Sequence, residues 1–231
     1  MSATLAKKYT MGIASVAAAA GMMFAVAAPA SAVPVTTDFD NACHANAGLI
    51  KENVSEPFSV ATNDLGSGNW TVQMGQQTTP SGAFGYTFIG LKGIQLRMTV
   101  APGATVTLGP DMGYGYTGTP VLDISGTQVT IKAASGSSLD VTGPNVDYKL
   151  PMISVSRPGG TSHGVSFTTA GNAGKYGNFA ENYFTFQSIA KPFIGGPVTA
   201  NTSCIPANGV LPTSAVGTSP TLNGGAANPL P

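Results

Sequence analysis

The feature that most restricts what this chain can fold into is a period of two. In Ile94-Gln95-Leu96-Arg97-Met98-Thr99-Val100 apolar and polar residues alternate, which places four hydrophobes on one face of a strand and the polar residues on the other. The same form recurs more briefly in TVQM at 71–74, QVTIK at 128–132, ISV at 153–155, VSF at 165–167 and FTF at 184–186. Between these runs stand Pro102-Gly103, Gly109-Pro110, Gly143-Pro144 and Pro158-Gly159-Gly160, each a turn signal. Half-buried antiparallel strands have this signature, and the spacing of breakers predicts strands of about five to seven residues. The expected fold is all-β: an antiparallel β-sandwich, immunoglobulin-like or jelly-roll-like, in a single domain. Residues 41–52 and 173–182 are expected to hold a helical turn or two. Trp70, Phe84, Tyr86, Phe88, Phe167, Phe179, Phe184 and Phe186 are the expected core aromatics.

The ends of the chain differ from this body. Lys7 and Lys8 precede an uncharged, alanine-rich run from Met11 to Ala28, followed by Pro29 and the small triplet Ala30-Ser31-Ala32. That order predicts a secretory signal peptide over residues 1–32, cleaved after Ala32. Its removal leaves eight basic against ten acidic residues, a formal charge of −2 with no basic patch, which argues against nucleic-acid binding. The charged fraction of 9% is far below the roughly 25% of ordinary soluble domains. Residues 33–206 are expected to form the sandwich. The segment 207–231 carries no charge and no aromatic residue and is rich in Pro, Gly, Asn and Ala, so it is expected to be a disordered tail. Leu211-Pro212-Thr213-Ser214-Ala215 departs from a sortase signal at its last two positions.

The chain has two cysteines, Cys43 near the start of the body and Cys204 at its end. An even pair in an exported chain predicts one disulfide, here closing a loop long enough to remove on the order of 5 kcal/mol of chain entropy from the unfolded state. A zinc site wants four ligands, and only His44 stands beside a cysteine.

Catalytic motifs are weak. Gly160-Thr161-Ser162-His163-Gly164 has the form of a G-x-S-x-G nucleophile elbow, but an elbow lies between a strand and a helix, and a strand-like VSFTTAG follows. The only histidines are His44 and His163. A glycine-rich hairpin turn is the expected structure. Gly174-Lys175 lacks the earlier glycine and the following Ser or Thr of a phosphate loop. Asp38-Phe39-Asp40-Asn41 opens like a calcium loop, but Cys43 replaces its glycine and Leu49 its closing glutamate, so a surface turn is expected. No catalytic residue, metal ligand or cofactor is assigned. Candidate binding residues are tyrosines on glycine-rich segments: Tyr114 and Tyr116 in PDMGYGYTGTP, and Tyr176 in GNAGKYGNF, where phenols could stack on a sugar or a partner.

The alanine-rich signal, the opening DFDNAC, the proline-bounded strands and the closing VTANTSCIP resemble uncharacterised secreted β-sandwich proteins of actinobacteria, over residues 39–206. The resemblance implies a secreted or envelope-associated protein without assigned catalysis, and carries over no functional residue. The expected function is therefore a secreted or cell-envelope-associated, non-enzymatic structural or ligand-binding module. Its expected partners are envelope components or glycans; membrane association is not predicted. The alternative is an outer-membrane pore, against which stand strands shorter than the 9–11 residues a tilted span requires. A secreted hydrolase acting through Ser162 ranks below both.

Overall fold

The computed structural model describes residues 34–48, 50–83, 85–167, 176–207, 221–223 and 226–227. The expected signal segment, Phe84, Gly174-Lys175 and the sequence 211–215 lie outside them. The described chain is all β, with no helix. Its strands are β1 (Val35–Ala47), β2 (Ile50–Gly66), β3 (Asn69–Met74), β4 (Gln77–Thr78), β5 (Gly82–Ala83), β6 (Tyr86–Val100), β7 (Thr105–Leu108), β8 (Pro120–Ser125) and β9 (Gln128–Ala133). There follow β10 (Val141–Thr142), β11 (Asp147–Tyr148), β12 (Ile153–Ser156), β13 (Val165–Phe167), β14 (Phe184–Lys191), β15 (Val198–Ala207), β16 (Thr221–Asn223) and β17 (Ala226–Ala227). Every alternating run noted in the sequence lies in one of these.

All pairings are antiparallel. One sheet runs in the order β17-β16-β13-β6-β14-β15-β1-β2-β3-β12-β7, with β5, β9 and β10 also on β6 and β8 on β9, while β4 and β11 make a separate pair. Within the segment expected to be a disordered tail, β16 pairs with β13. β7, at one end of the order, comes alongside β8, so the sheet curls until it nearly closes, between a sandwich and a barrel. One apolar cluster fills the curl. It joins Val72, Val106, Ile153 and Val155 from the β3–β12–β7 limb to Leu96, Met98, Val129 and Ile131 from β6 and β9.

At its centre are two rings that the sequence did not single out, Phe58 and Tyr183. Phe58 packs within 6.1 Å of Phe167, Tyr183 and Phe184, measured between ring centroids, and Tyr183 is fully buried with its hydroxyl donating to Asn41. Desolvation holds that phenol well above its usual pKa. Of the expected core aromatics, Trp70, Phe88, Phe167 and Phe184 are buried, whereas Tyr86, Phe179 and Phe186 are only half-buried.

Three expectations are corrected. Strands are longer than five to seven residues: β1 has 13, β2 has 17 and β6 has 15. Bulges allow this, because a bulged strand can bend and continue. In β6 the bend falls at Gly93, whose φ of 63° suits glycine, opposite a register shift between Thr185 and Gln187 of β14. Second, residues 41–47 and 50–52 are extended rather than helical. Here cross-strand pairing with β15 overrides the local preference of an alanine-rich stretch. Third, Asp38 to Asn41 lies inside β1, not in a surface turn. Strand length therefore no longer speaks against a pore, but side-chain placement does. The interior is packed with rings, and the outward row Lys51, Asn46, Asn201, Gln187 and Lys92 is polar and exposed where a spanning barrel needs an apolar band.

Cys43 and Cys204 are bonded, S–S 2.02 Å with Cα atoms 4.0 Å apart. They face each other directly in the β1–β15 ladder and are both buried. The bond closes 161 positions of chain. Replacing both cysteines by alanine is expected to lower the free energy of unfolding by about 2–5 kcal/mol, read from chemical denaturation at neutral pH.

Candidate functional site

The curled sheet encloses a cavity of about 560 Å³. Its wall follows from strand parity. Alternate residues of β1 point inward, and Asn41, Cys43 and Ala45 face their partners Glu56, Val54 and Glu52 of β2 on the same side. Thr202 of β15 and Phe184, Phe186 and Ser188 of β14 continue the wall, and Phe88 and Leu91 of β6 complete it.

Space remains because small side chains meet across the sheet. Ala45 pairs with Thr202, which pairs with Phe186. The Ser188 and Thr202 hydroxyls satisfy each other at 2.9 Å, so these polar atoms make little demand on a ligand. The roof is formed by Gln77 to Ala83 with Gly85 and Tyr86, where β4 pairs with β11 and sets the buried Tyr148 over the cavity. Thr79 pins this roof: its hydroxyl donates to the Gly143 carbonyl at 2.8 Å and accepts from the Val146 N–H at 2.9 Å, while its own N–H reaches the Val146 carbonyl at 2.9 Å.

The mouth opens along β2. β3 pairs with β2 only over Val60 to Gly66, so the edge from Lys51 to Pro57 has no second strand beside it among the described residues. Glu52 and Glu56 stand on this edge and line the opening. Glu56 remains accessible to solvent, yet partial desolvation raises its carboxyl above the usual range. Its charge and, above all, burial push the Tyr148 phenol upward in turn. The site is thus a chamber of mixed character, aromatic and aliphatic along β6 and β14 and polar along the roof, with one perturbed carboxyl at its entrance.

The tyrosines proposed from sequence are elsewhere, and they are not brought together. Tyr114 is exposed; its phenol donates to Gln76 Oε1 at 2.5 Å and its backbone bridges Lys149. Tyr116 folds back on the core and donates to the Met112 carbonyl. The loop carrying them lies flat on the chain from Ser138 to Leu150, and its glycines make that possible: a Cβ at Gly113 would sit 2.0 Å from the Lys149 carbonyl oxygen, and one at Gly115 2.1 Å from that of Asp147. Tyr176 covers Ala42 and Ile205 on the outer face. It donates to the Cys43 carbonyl at 3.2 Å and to Asn53 Oδ1 at 2.9 Å, and burial pushes its phenol up to about 12.

The G-x-S-x-G segment is a turn between β12 and β13, with a strand where an elbow needs a helix. Arg157 binds the Ser162 carbonyl at 3.0 Å and lies 3.5 Å from its hydroxyl. His163 is fully buried and its Nδ1 accepts the Val165 N–H at 3.0 Å, while His44 contacts Asn53 at 2.8 Å and the Tyr176 ring at 5.6 Å.

No local motif announces the cavity, because its wall joins residues up to 161 positions apart. The one available signal was small residues at inward positions of strands, Ala45 and Ser188 among them, where their neighbours are aromatic.

No family model matches the sequence, and no curated protein matches it. Among solved structures, the chain is similar to a protein from Corynebacterium diphtheriae described as membrane anchored, with 19% identity and a TM-score of 0.40. The match covers 80% of this chain and 37% of that one.

Burial, with the Arg157 charge added, lowers the His163 pKa to about 4. An unfolded chain binds the proton near pH 6.5, so the folded state is favoured in full above that pH and loses the advantage as pH falls toward 4. The loss reaches ~3 kcal/mol at the lower end. Thermal unfolding followed from pH 7 to pH 4 is expected to show this decline, and His163→Asn, whose side-chain oxygen can take the Val165 N–H, is expected to flatten it.

Proposed function

We propose that this protein is an extracytoplasmic, non-enzymatic binding module whose cavity receives a small amphipathic molecule, apolar body inward and uncharged polar end at Glu56. The observation that carries the reading is the chamber of about 560 Å³ walled by Phe88, Leu91, Phe184, Phe186 and Tyr148. Its size is that of small-molecule sites, which run from about 300 to 1,000 Å³, and its lining sets these apolar and aromatic side chains beside polar ones such as Asn41, Gln77 and Thr78, as an amphipathic occupant requires. The compartment rests on the Cys43–Cys204 bond, which persists in oxidising surroundings. A secreted or envelope-associated location fits both.

The non-enzymatic part rests on what surrounds the reactive groups. Ser162 is held by Arg157, and both imidazoles have their described contacts elsewhere.

A neutral apolar fluorophore such as N-phenylnaphthylamine is expected to bind the wild-type chain with one-site stoichiometry. Ala45→Trp, which fills the chamber from a buried wall position, is expected to weaken binding at least tenfold while leaving cooperative thermal unfolding in place. Absence of saturable binding by the wild type would overturn the reading.

The pH dependence has a definite sign. An apolar occupant disfavours the charged form of Glu56, so affinity for a neutral probe is expected to rise as pH falls through the raised titration range of that carboxyl. Glu56→Gln is expected to remove the slope, measured by titrating the probe across pH 4.5 to 8.

A further inference from the structure

The hairpin joining β14 to β15 is Pro192-Phe193-Ile194-Gly195-Gly196-Pro197. At its apex Phe193 is fully exposed and Ile194 is 83% exposed. Isolated apolar residues on a surface need no explanation, but this pair is adjacent, large and placed at the tip of a turn bounded by two prolines. It caps no strand of the core. The cost of holding both side chains in water is offset by no internal packing in the described structure.

The position of the hairpin makes it a prominence. Register aligns Lys51, Asn46, Asn201, Gln187 and Lys92 in one row across β2, β1, β15, β14 and β6. Beyond this row β1 ends at Ala47, whereas β14 runs on to Lys191 and β15 begins at Val198. The β14–β15 tip therefore overhangs the β1–β2 turn by about two strand residues, roughly 7 Å, before the six-residue loop is added.

The charge around it has one sign. Lys191 at the foot of the loop and Lys51 and Lys92 in the row are all exposed and share the outward face, with amides between them. Ion pairs among the described residues engage Lys132 and Lys149, not these three. No acidic residue follows Glu181 in the chain. Glu52, next to Lys51, points to the opposite face into the cavity mouth, and Asp140, beside β6, turns its carboxylate to the Gly93 N–H at 3.0 Å and the Ser138 hydroxyl at 2.5 Å. Asp38 and Asp40 share the outward face of β1 but lie at least six residues from Asn46, about 20 Å away.

A convex apolar tip backed by lysines and free of carboxylates complements an anionic lipid surface. We propose that Phe193 and Ile194 enter the headgroup–acyl boundary of an anionic bilayer, with Lys191 at the headgroups and the outward face tilted so that Lys51 and Lys92 reach them. Shallow insertion of apolar side chains together with attraction of basic ones is the way peripheral proteins hold an interface. A concave site on a protein partner would fit the two apolar side chains but gives no reason for three unpaired lysines on one face.

The test places a reporter at the tip. Phe193→Trp adds an exposed indole to a chain whose own Trp70 is buried, so the difference from wild type reports the hairpin alone, whatever other parts of the full chain do. With vesicles of phosphatidylglycerol and phosphatidylcholine at low salt, the added emission is expected to shift to the blue and to be quenched by brominated acyl chains. Lys51→Gln, Lys92→Gln and Lys191→Gln together in that background are expected to raise the lipid concentration for half-maximal shift at least tenfold, as high salt should for the parent. Emission that stays solvent-like with every vesicle overturns the proposal. So does an equal response to pure phosphatidylcholine, which would leave the lysines without a role. A blue shift that needs no lipid and rises with protein concentration alongside a doubled mass would assign the tip to a second copy instead.

Discussion

The bond between Cys43 and Cys204 joins two strands at the middle of the sheet, not two loose ends. In the strand order β15 and β1 are central neighbours: everything toward β14 and β6 lies on one side, and everything toward β2, β3 and β12 on the other. The two limbs wrap toward each other around a shared apolar cluster, and the covalent link fixes the register about which they do so. That register decides which side chains face inward. A slip of one residue would turn Cys43, Ala45 and Thr202 outward and remove the cavity wall.

The cavity and the dense ring cluster beside it are two outcomes of one pattern. Toward Asn41 the inward positions carry Phe58, Tyr183 and Phe184, whose rings pack on one another. Toward Ala45 the inward residues shrink to alanine, serine and threonine while β3 leaves β2 and exposes its edge. The sheet stays continuous, so the backbone remains hydrogen-bonded while the side chains give way. Pro57 lies in the uncovered stretch, where a missing N–H costs nothing and discourages another strand from adding there.

Much of the architecture was legible locally. Alternation in Ile94 to Val100 and 128–132 marks strands because inward and outward faces must differ, and Pro-Gly pairs mark the ends. What was not legible depends on residues that meet only after folding. Residues 41–47 read as weakly helical because Ala and Asn say little alone; as a strand they are held between the adjoining β2 and a strand about 160 positions later. Strand length is not legible locally because glycine marks stops and bends alike: Gly93 bends β6 without ending it. Tyr183 and Phe58 lie outside the short alternating runs, and their place at the centre follows from the curl. The tyrosine loops looked available from composition, but Gly113 and Gly115 serve close backbone contact. The apolar pair in PFIGGP was visible as letters; only the structure shows that it projects.

The central position of the cystine also changes what proteolysis can accomplish. Every described loop from the β1–β2 turn to the β14–β15 tip lies between the two half-cystines in sequence. A single peptide cleavage at any of them yields two pieces that remain covalently attached through the middle of the sheet, so a protease in an oxidising medium can nick the chain without separating its halves.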